Sequence, residues 1–387
     1  MATVILKATE KCNSNCYYCD VAFKGYSGGS MSLEVLEQVF HRTDEYLREQ
    51  PEERVEILWH GGEPLLMGPS FFEAALDFQR SICRDTASRI DHNIQTNLTC
   101  FDESFLPVFA ELGLTSVGTS YDPIPGLRGP GDPIDSDAYN ARFMRATGIL
   151  ERNNIGWGLI YVVTRRSLEN PIDLFYFLTN LRPDGGVNFN PVLIYDDQRK
   201  DVAISAEEYV GFLGTLFPVW WKARERFPEV QPFRSYVQTI LNGNLHLGCV
   251  DSGRCTYVHI NIAPNGDTSQ CGRSADWGLL SYGNVEDRSF SEILRDSQRD
   301  QLAERMRILP ETDCEGCRFW GLCHGGCPLD SWSAHGNFQH KTEWCEAKRG
   351  FLENHFEPLT GVRYESYPPV QEVSKEVLQV SSEGGRP

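Results

Sequence analysis

Along the first two thirds of the chain, short runs rich in β-branched and aromatic residues alternate with longer stretches whose apolar positions recur at helical spacing. The pattern predicts six strands, over residues 3–8, 54–60, 90–95, 116–121, 157–163 and 187–194. Between them, apolar-periodic stretches over 33–47, 71–82 and 143–151 are long enough to carry the chain from one parallel strand to the next. Strand-helix units repeated in this way predict an α/β fold built as a partial barrel. A further helix is expected from Ser205, whose spacing to Glu208 fits a capping box, to about residue 227.

From about Cys249 the pattern changes. Residues 257–271 read as an isolated hairpin turning at Pro264-Asn265-Gly266, followed by a helix over 290–306. Residues 314–345 are dense in Gly and Cys with little periodicity, so that stretch is expected to fold around metal without a conventional core. After Gly361 few apolar anchors remain and the chain ends in SSEGGRP, which reads as a loosely held tail. These changes divide the chain into a barrel over 1–235, a cysteine-rich domain over 236–360 and a tail over 361–387.

Composition narrows the class. With 387 residues and 41% apolar content the chain can bury large cores. Its 54 acidic against 36 basic side chains repel phosphate backbones, so nucleic acid is excluded as a partner and a peptide or small molecule is expected. No run of about eighteen apolar residues and no signal-peptide order is present, so no membrane is expected and the address is the cytoplasm. Thirteen cysteines in such a chain point to metal ligation, because a reducing compartment disfavours disulfides. Three lie within residues 12–19 and eight between 249 and 345, which implies two metal-binding regions. Cys83 and Cys100, outside both groups, read as small buried apolar residues.

Cys12, Cys16 and Cys19 closely follow the first strand, where a βα barrel places its active-site loops. Three thiolates can ligate three irons of a cubane and leave the fourth open; a zinc loop is the alternative, although no neighbouring Cys or His supplies the fourth ligand that tetrahedral zinc usually takes. The spacing CxxxCxxC, with the aromatic Tyr18 before the last cysteine, resembles the motif of the radical S-adenosylmethionine superfamily. Gly61-Gly62-Glu63-Pro64 ends the second strand as that family's motif for the cofactor amino group does, with glycine backbone able to approach a ligand and Glu63 able to accept from an ammonium. Gln95-Thr96-Asn97 ends the third strand, Ser120-Tyr121-Asp122 the fourth, and Arg145 lies on the next helix.

The resemblance covers about residues 3–200. It implies that Tyr18, Gly61, Gly62, Glu63, Pro64, Gln95, Asn97, Ser120 and Arg145 bind S-adenosylmethionine, with a serine and an arginine at such positions contacting its ribose and carboxylate. It also implies that the open iron is chelated by the cofactor's amino and carboxylate groups. A reduced cluster then splits the sulfonium to give a 5'-deoxyadenosyl radical.

In the second region Cys255, Gly266, Cys271, Cys314-x2-Cys317-x5-Cys323-x3-Cys327 and Cys345 resemble the SPASM domain, and Cys249 adds an eighth thiol. Eight thiols suffice for two fully ligated [4Fe-4S] clusters. The resemblance implies one cluster on Cys249, Cys255, Cys271 and Cys327 and another on Cys314, Cys317, Cys323 and Cys345, giving three [4Fe-4S] clusters in all. The implied fold is a partial (β/α)6 TIM-like barrel followed by a small α+β iron-sulfur domain.

SPASM enzymes mostly modify ribosomally made peptides, and this layout is similar to the anaerobic sulfatase-maturating enzymes. Those carry a catalytic aspartate directly after the third auxiliary cysteine, where this chain has Gly272; this speaks against oxidation of serine or cysteine to formylglycine. The favoured expectation is a maturase that abstracts hydrogen from a precursor peptide and forms a cyclophane or thioether crosslink. A small-molecule dehydrogenase, a serine or cysteine oxidising maturase and a non-catalytic iron-sulfur or zinc protein are the alternatives. Because the first strand starts almost at once, a separate leader-recognition protein or the acidic surface is expected to hold the precursor, and a flavodoxin- or ferredoxin-like reductant to supply electrons. Residues 217–221 could wall the substrate or pack in the core. Among His60, Asp122, Asp251 and Asp330, spacing selects no acid or base.

Overall fold

The computed structural model describes residues 1–19, 28–194 and 199–365. The expected strands form as β1 (Ala2–Thr9), β2 (Val55–Gly61), β3 (Ile90–Thr96), β4 (Ser116–Ser120), β5 (Gly156–Val163) and β6 (Val187–Pro191). They pair in parallel in chain order, joined by α1 (Leu33–Glu49), α2 (Pro69–Ile82), α3 (Leu106–Glu111), α4 (Ser136–Arg152) and α5 (Pro171–Asn180). After α6 (Ala206–Ala223), a two-residue strand β7 (Val230–Gln231) extends the sheet beyond β6. The Ser205 capping box is present, with Ser205 Oγ accepting from Glu208 N at 3.1 Å and Glu208 Oε2 from Ser205 N at 2.8 Å.

The register sorts the side chains into two sets. Val4, Leu6, Ile57, Trp59, Val117, Trp157, Leu159 and Phe189 are buried in the main hydrophobic core. On the opposite face, Lys7 aligns with His60, Gln95 with Gly118, and Ser120 with Ile160. This second face is the lumen of the partial barrel, and its polar residues gather toward the C-terminal ends of the strands.

Four expectations are corrected. The hairpin β8 (His259–Ile262) and β9 (Asp267–Ser269) is not isolated: β8 pairs in parallel with β1, and β10 (Ser281–Asn284) follows, giving the order β10-β9-β8-β1-β2-β3-β4-β5-β6-β7. The expected helix over 290–306 is broken into Phe290–Leu294 and Asp300–Ile308, because Asp296 accepts from Gln298 N at 2.9 Å and starts a new turn. Residues 314–345 do have a core, since Phe319, Leu322, Leu329 and Phe338 are buried within the main apolar cluster. The start of the expected tail is held: Tyr364 is buried, its ring stacks on Phe319 at 6.1 Å, and its carbonyl accepts from Arg318 Nη1 at 2.8 Å. The rest of that tail, 366–387, lies outside the described residues.

Of the aromatic stretch 217–221, Phe217 and Trp220 pack inward. Phe217 lies 5.2 Å from Phe233, 5.3 Å from Phe351 and 5.4 Å from Phe356, tying α6 to the C-terminal helices. No helix among the described residues is long and apolar enough to cross a membrane.

Candidate active site and metal centres

β1 delivers the chain to the rim of the lumen, and three contacts fix the loop that follows. Gly62 N donates to Thr9 O at 2.8 Å, Glu63 N to Lys11 O at 2.8 Å, and Lys11 N to Thr9 Oγ1 at 3.1 Å. The loop lies so close to the end of β2 that a Cβ on Gly61 would sit 2.2 Å from Thr9 O, and one on Gly62 2.2 Å from Lys11 O. Gly61 also has φ +126, which a side chain would disfavour. On its other side the loop is held by Asn15 N to Gly129 O at 2.6 Å and Tyr17 N to Leu127 O at 2.8 Å.

Glu63, fully buried, accepts from Thr96 Oγ1 at 2.6 Å, Asn97 N at 2.7 Å and Leu65 N at 3.0 Å, clamping the end of β2 to that of β3. Three donors leave one of its four lone-pair directions open. Burial raises its pKa, against the pull of those bonds. Pro64 starts the short turn that Glu63 caps.

Cys12, Cys16 and Cys19 come together at this rim. Burial pushes the Cys12 thiol up to about 12, and Glu63, Cys16 and Cys19 lie near enough to add to the shift. A cavity of about 320 Å³ opens beside them, lined by Cys12, Asn13, Asn15, Gly131 and Asp132. Asn97 Nδ2 reaches Cys12 Sγ at 3.8 Å and Asn13 Oδ1 at 2.8 Å, while Gln95 Nε2 bonds Ser120 Oγ at 3.3 Å.

Arg145 stands apart from this group, exposed, with Nη2 3.4 Å from Phe101 O. The cation brought to the rim is Arg128, which sequence reasoning missed. It donates to Tyr139 Oη at 2.8 Å and Tyr18 Oη at 3.4 Å, and Cys16 lies within its electrostatic reach. Its one sequence signal is a lone arginine in the Gly- and Pro-rich run after β4.

The lumen also holds ionisable groups. Lys7 Nζ pairs with Asp276 Oδ1 at 2.8 Å, the two side chains being 5% and 11% exposed, and reaches Gly272 O at 3.3 Å. His60 accepts from Gly61 N on Nδ1 at 2.7 Å; burial, then the Lys7 cation, hold it down at about 4, so it is neutral with its proton on Nε2. Burial pushes Asp122 up to about 7 while it accepts from Ile124 N at 2.9 Å. Asp330 binds Arg273 Nη2 at 2.8 Å and Thr342 Oγ1 at 3.0 Å, and Asp251 pairs with Lys348.

The eight later cysteines gather in two fours. Cys255 lies close enough to Cys249 to raise its thiol, Cys271 lies in electrostatic reach of Cys249, and Cys327 in reach of Cys271. Cys323 is influenced in the same way by Cys314, Cys317 and Cys345, and these four thiols line a cavity of about 360 Å³. Burial raises Cys323 and Cys327 to about 12 and Cys314 to about 11, protons that a bound metal would displace. Among the described residues no three His, Cys, Asp or Glu side chains close tightly enough to hold a single ion. Each four is a group of soft ligands, a donor set suited to an iron-sulfur core.

Cys83 is fully buried, its thiol 3.5 Å from Phe40 O. Cys100 is half-buried and its Sγ accepts from Asn13 Nδ2 at 3.0 Å, so it borders the first loop; the charges acting on it are Glu63, Arg142 and Asp102. Cys100→Ala is expected to leave 5'-deoxyadenosine formation and iron content at wild-type levels, read by chromatography and iron assay.

Two family models match the chain: the radical SAM superfamily over residues 6–169, and the SPASM iron-sulfur cluster-binding domain over residues 249–318. Among curated proteins the chain is similar to a cysteine-type anaerobic sulfatase-maturating enzyme of Clostridium novyi, 25% identical over 379 residues, covering 94% of this chain and 97% of that protein. It is also similar to a serine-type anaerobic sulfatase-maturating enzyme of Bacteroides thetaiotaomicron, 26% identical over 345 residues, covering 82% and 79%. Native anSMEcpe with bound AdoMet and Cp18Cys peptide shares the fold with a TM-score of 0.79 at 23% identity, over 93% of this chain and 98% of that one. Streptococcus suis SuiB bound to precursor peptide SuiA shares it with a TM-score of 0.60 at 15% identity, over 89% and 76%.

Proposed function

Because this chain belongs to the radical S-adenosylmethionine superfamily and carries a SPASM iron-sulfur domain, we propose that it is a cytoplasmic peptide maturase that crosslinks a ribosomally made precursor. In this reading Cys12, Cys16 and Cys19 hold the first cluster, and the two sets of four hold the auxiliary pair. When bound, these cofactors would supply a 5'-deoxyadenosyl radical and electron acceptors. Glu63 and the Gly61-Gly62 backbone receive the cofactor's amino group, while Ser120, Gln95 and Asn97 line its approach. Arg128 is the better-placed cation for its carboxylate than Arg145. A flavodoxin- or ferredoxin-like reductant and a separate leader-recognition protein complete the reading.

One observation carries it. Cys271 caps the helix Gly272–Asp276, and that helix sets Asp276 against Lys7 on β1, the strand that leads into the first three cysteines. A substrate in the lumen therefore meets the radical source, an acid-base pair and the first auxiliary set together. Lys7 also occupies the space over Gly272, where a Cβ would lie 3.3 Å from Lys7 Cε. The proton-handling carboxylate thus sits one helical turn beyond that glycine. The relatives that act on protein, the sulfatase-maturating enzymes, and SuiB, solved with its precursor peptide, favour a peptide over a small molecule.

Co-expression with a short peptide encoded beside the gene, followed by mass spectrometry, tests this reading. A loss of two hydrogens that fragmentation places across two residues is the expected result; an unchanged peptide with turnover of a sugar or cyclitol instead would replace it. Asp276→Asn should lower product formation by about 10²- to 10⁴-fold while 5'-deoxyadenosine is still released. Equal loss of both would show that Asp276 serves the fold or the cofactor instead.

A further inference from the structure

The helix Asp300–Ile308 carries a cation whose surroundings differ from those of the surface arginines. Arg305 is 2% exposed. Its Nη1 donates to His324 O at 3.0 Å, and its Nη2 donates to Gly325 O at 2.7 Å and His340 O at 3.0 Å. Nε has no partner. Among the described residues no carboxylate pairs with it. Carbonyl dipoles solvate a guanidinium only in part, so a buried cation left in this state is costly unless negative charge lies nearby.

The thiols around it supply that charge once a bound metal displaces their protons. The groups acting on Arg305 are Cys327, Cys314, Cys323 and Cys255, two from each set of four. The loop that Arg305 grips, His324 and Gly325, joins Cys323 of one set to Cys327 of the other. Gly325 is required there, because a Cβ would lie 2.2 Å from Leu309 Cδ1 and 3.1 Å from Arg305 Nη2. The neighbouring cations differ. Arg273 reaches Cys327 Sγ at 3.6 Å but is paired with Asp330. Arg299 lies near Cys255 alone among the thiols and also has Asp296 close by.

Resting on the cluster assignment above, we propose that Arg305 is the shared counter-charge of the two auxiliary clusters, a positioning residue that raises the reduction potentials of both. A cluster ligated by four thiolates gains negative charge on reduction, so a fixed cation in a water-poor interior favours its reduced form. A cation between two such cores acts on each, which a paired or one-sided arginine does not.

The test is an EPR-monitored redox titration of the full chain, reconstituted without oxygen, with iron counted in parallel. In Arg305→Met both auxiliary couples should fall by about tenfold in the reduced-to-oxidised ratio at fixed potential, about 59 mV for a one-electron couple. Arg305→Lys, which keeps the charge, should hold both within about threefold of wild type on the same scale. If Arg305→Met loses iron, Arg305→Gln, neutral but able to bond a carbonyl, takes its place with the same expectation. A neutral variant with full iron in which either couple stays put overturns the proposal. So does loss of iron in all three variants, which would make Arg305 a clamp and nothing more. Wild-type protein lacking auxiliary couples would remove the clusters themselves, and this role with them.

Discussion

Cys16→Ala should abolish the release of 5'-deoxyadenosine from S-adenosylmethionine under dithionite while leaving the auxiliary centres assembled. Cys16 is 7% exposed and lies between Cys12 and Cys19 in a loop pinned on both sides, by Gly62 and Glu63 at one edge and by Leu127 and Gly129 at the other. The loop keeps its backbone bonds without the thiol, so the change removes a thiol and not the fold. The eight later cysteines lie in other elements and share no thiol with this loop. Iron should therefore drop from about twelve to about eight per chain, as expected for loss of one four-iron cluster out of three. Retained cleavage in this variant would mean that the reductive site lies elsewhere.

Gly62→Ala should have an effect nearly as large without touching a ligand. Its Cβ would fall 2.2 Å from Lys11 O and 2.6 Å from Glu10 O, backbone atoms that cannot swing aside like the end of a side chain. Either the loop leading to Cys12 moves or the end of β2 does, and the Glu63 clamp onto Thr96 and Asn97 is disturbed with it. Each donor left unsatisfied by that movement costs about 1–3 kcal/mol. The expected result is loss of S-adenosylmethionine binding by calorimetry, with far-ultraviolet circular dichroism unchanged. Gly211→Ala is the control: it sits in α6 with nothing within 4 Å of a built Cβ, and should be neutral or stabilising by up to about 1 kcal/mol.

The barrel strands were legible because each buries one face on helices, so branched and aromatic residues mark them whatever the rest of the chain does. β7, with two residues, has no pattern to read. The partnership of β8 with β1 is a tertiary choice across more than 250 residues, and a local reading could see only a hairpin. In the same way Asp296 defeated the reading of a single helix over 290–306, since a capping side chain outweighs continued apolar spacing.

The cysteines stood out by spacing, their division into two fours came only with the resemblance, and the structure groups the later thiols in the same way. The groups around them did not stand out. Lys7 and Asp276 are 269 positions apart and become a pair only through the fold. Arg128 hides in a turn-rich run where cations are ordinarily solvated. Arg305 looks like any helix-surface arginine until the loop between Cys323 and Cys327 closes over it. Arg145, singled out by its place on the helix, points instead to the carbonyl of Phe101.

The most direct test of the central claim is electron-nuclear double resonance on the reduced chain with S-adenosylmethionine labelled with nitrogen-15 at its amino group. The expected result is a nitrogen-15 coupling to a four-iron signal that is absent in Cys16→Ala and retained in Cys100→Ala. A four-iron signal from the first loop with no such coupling, its fourth iron already held by a protein atom, would contradict it.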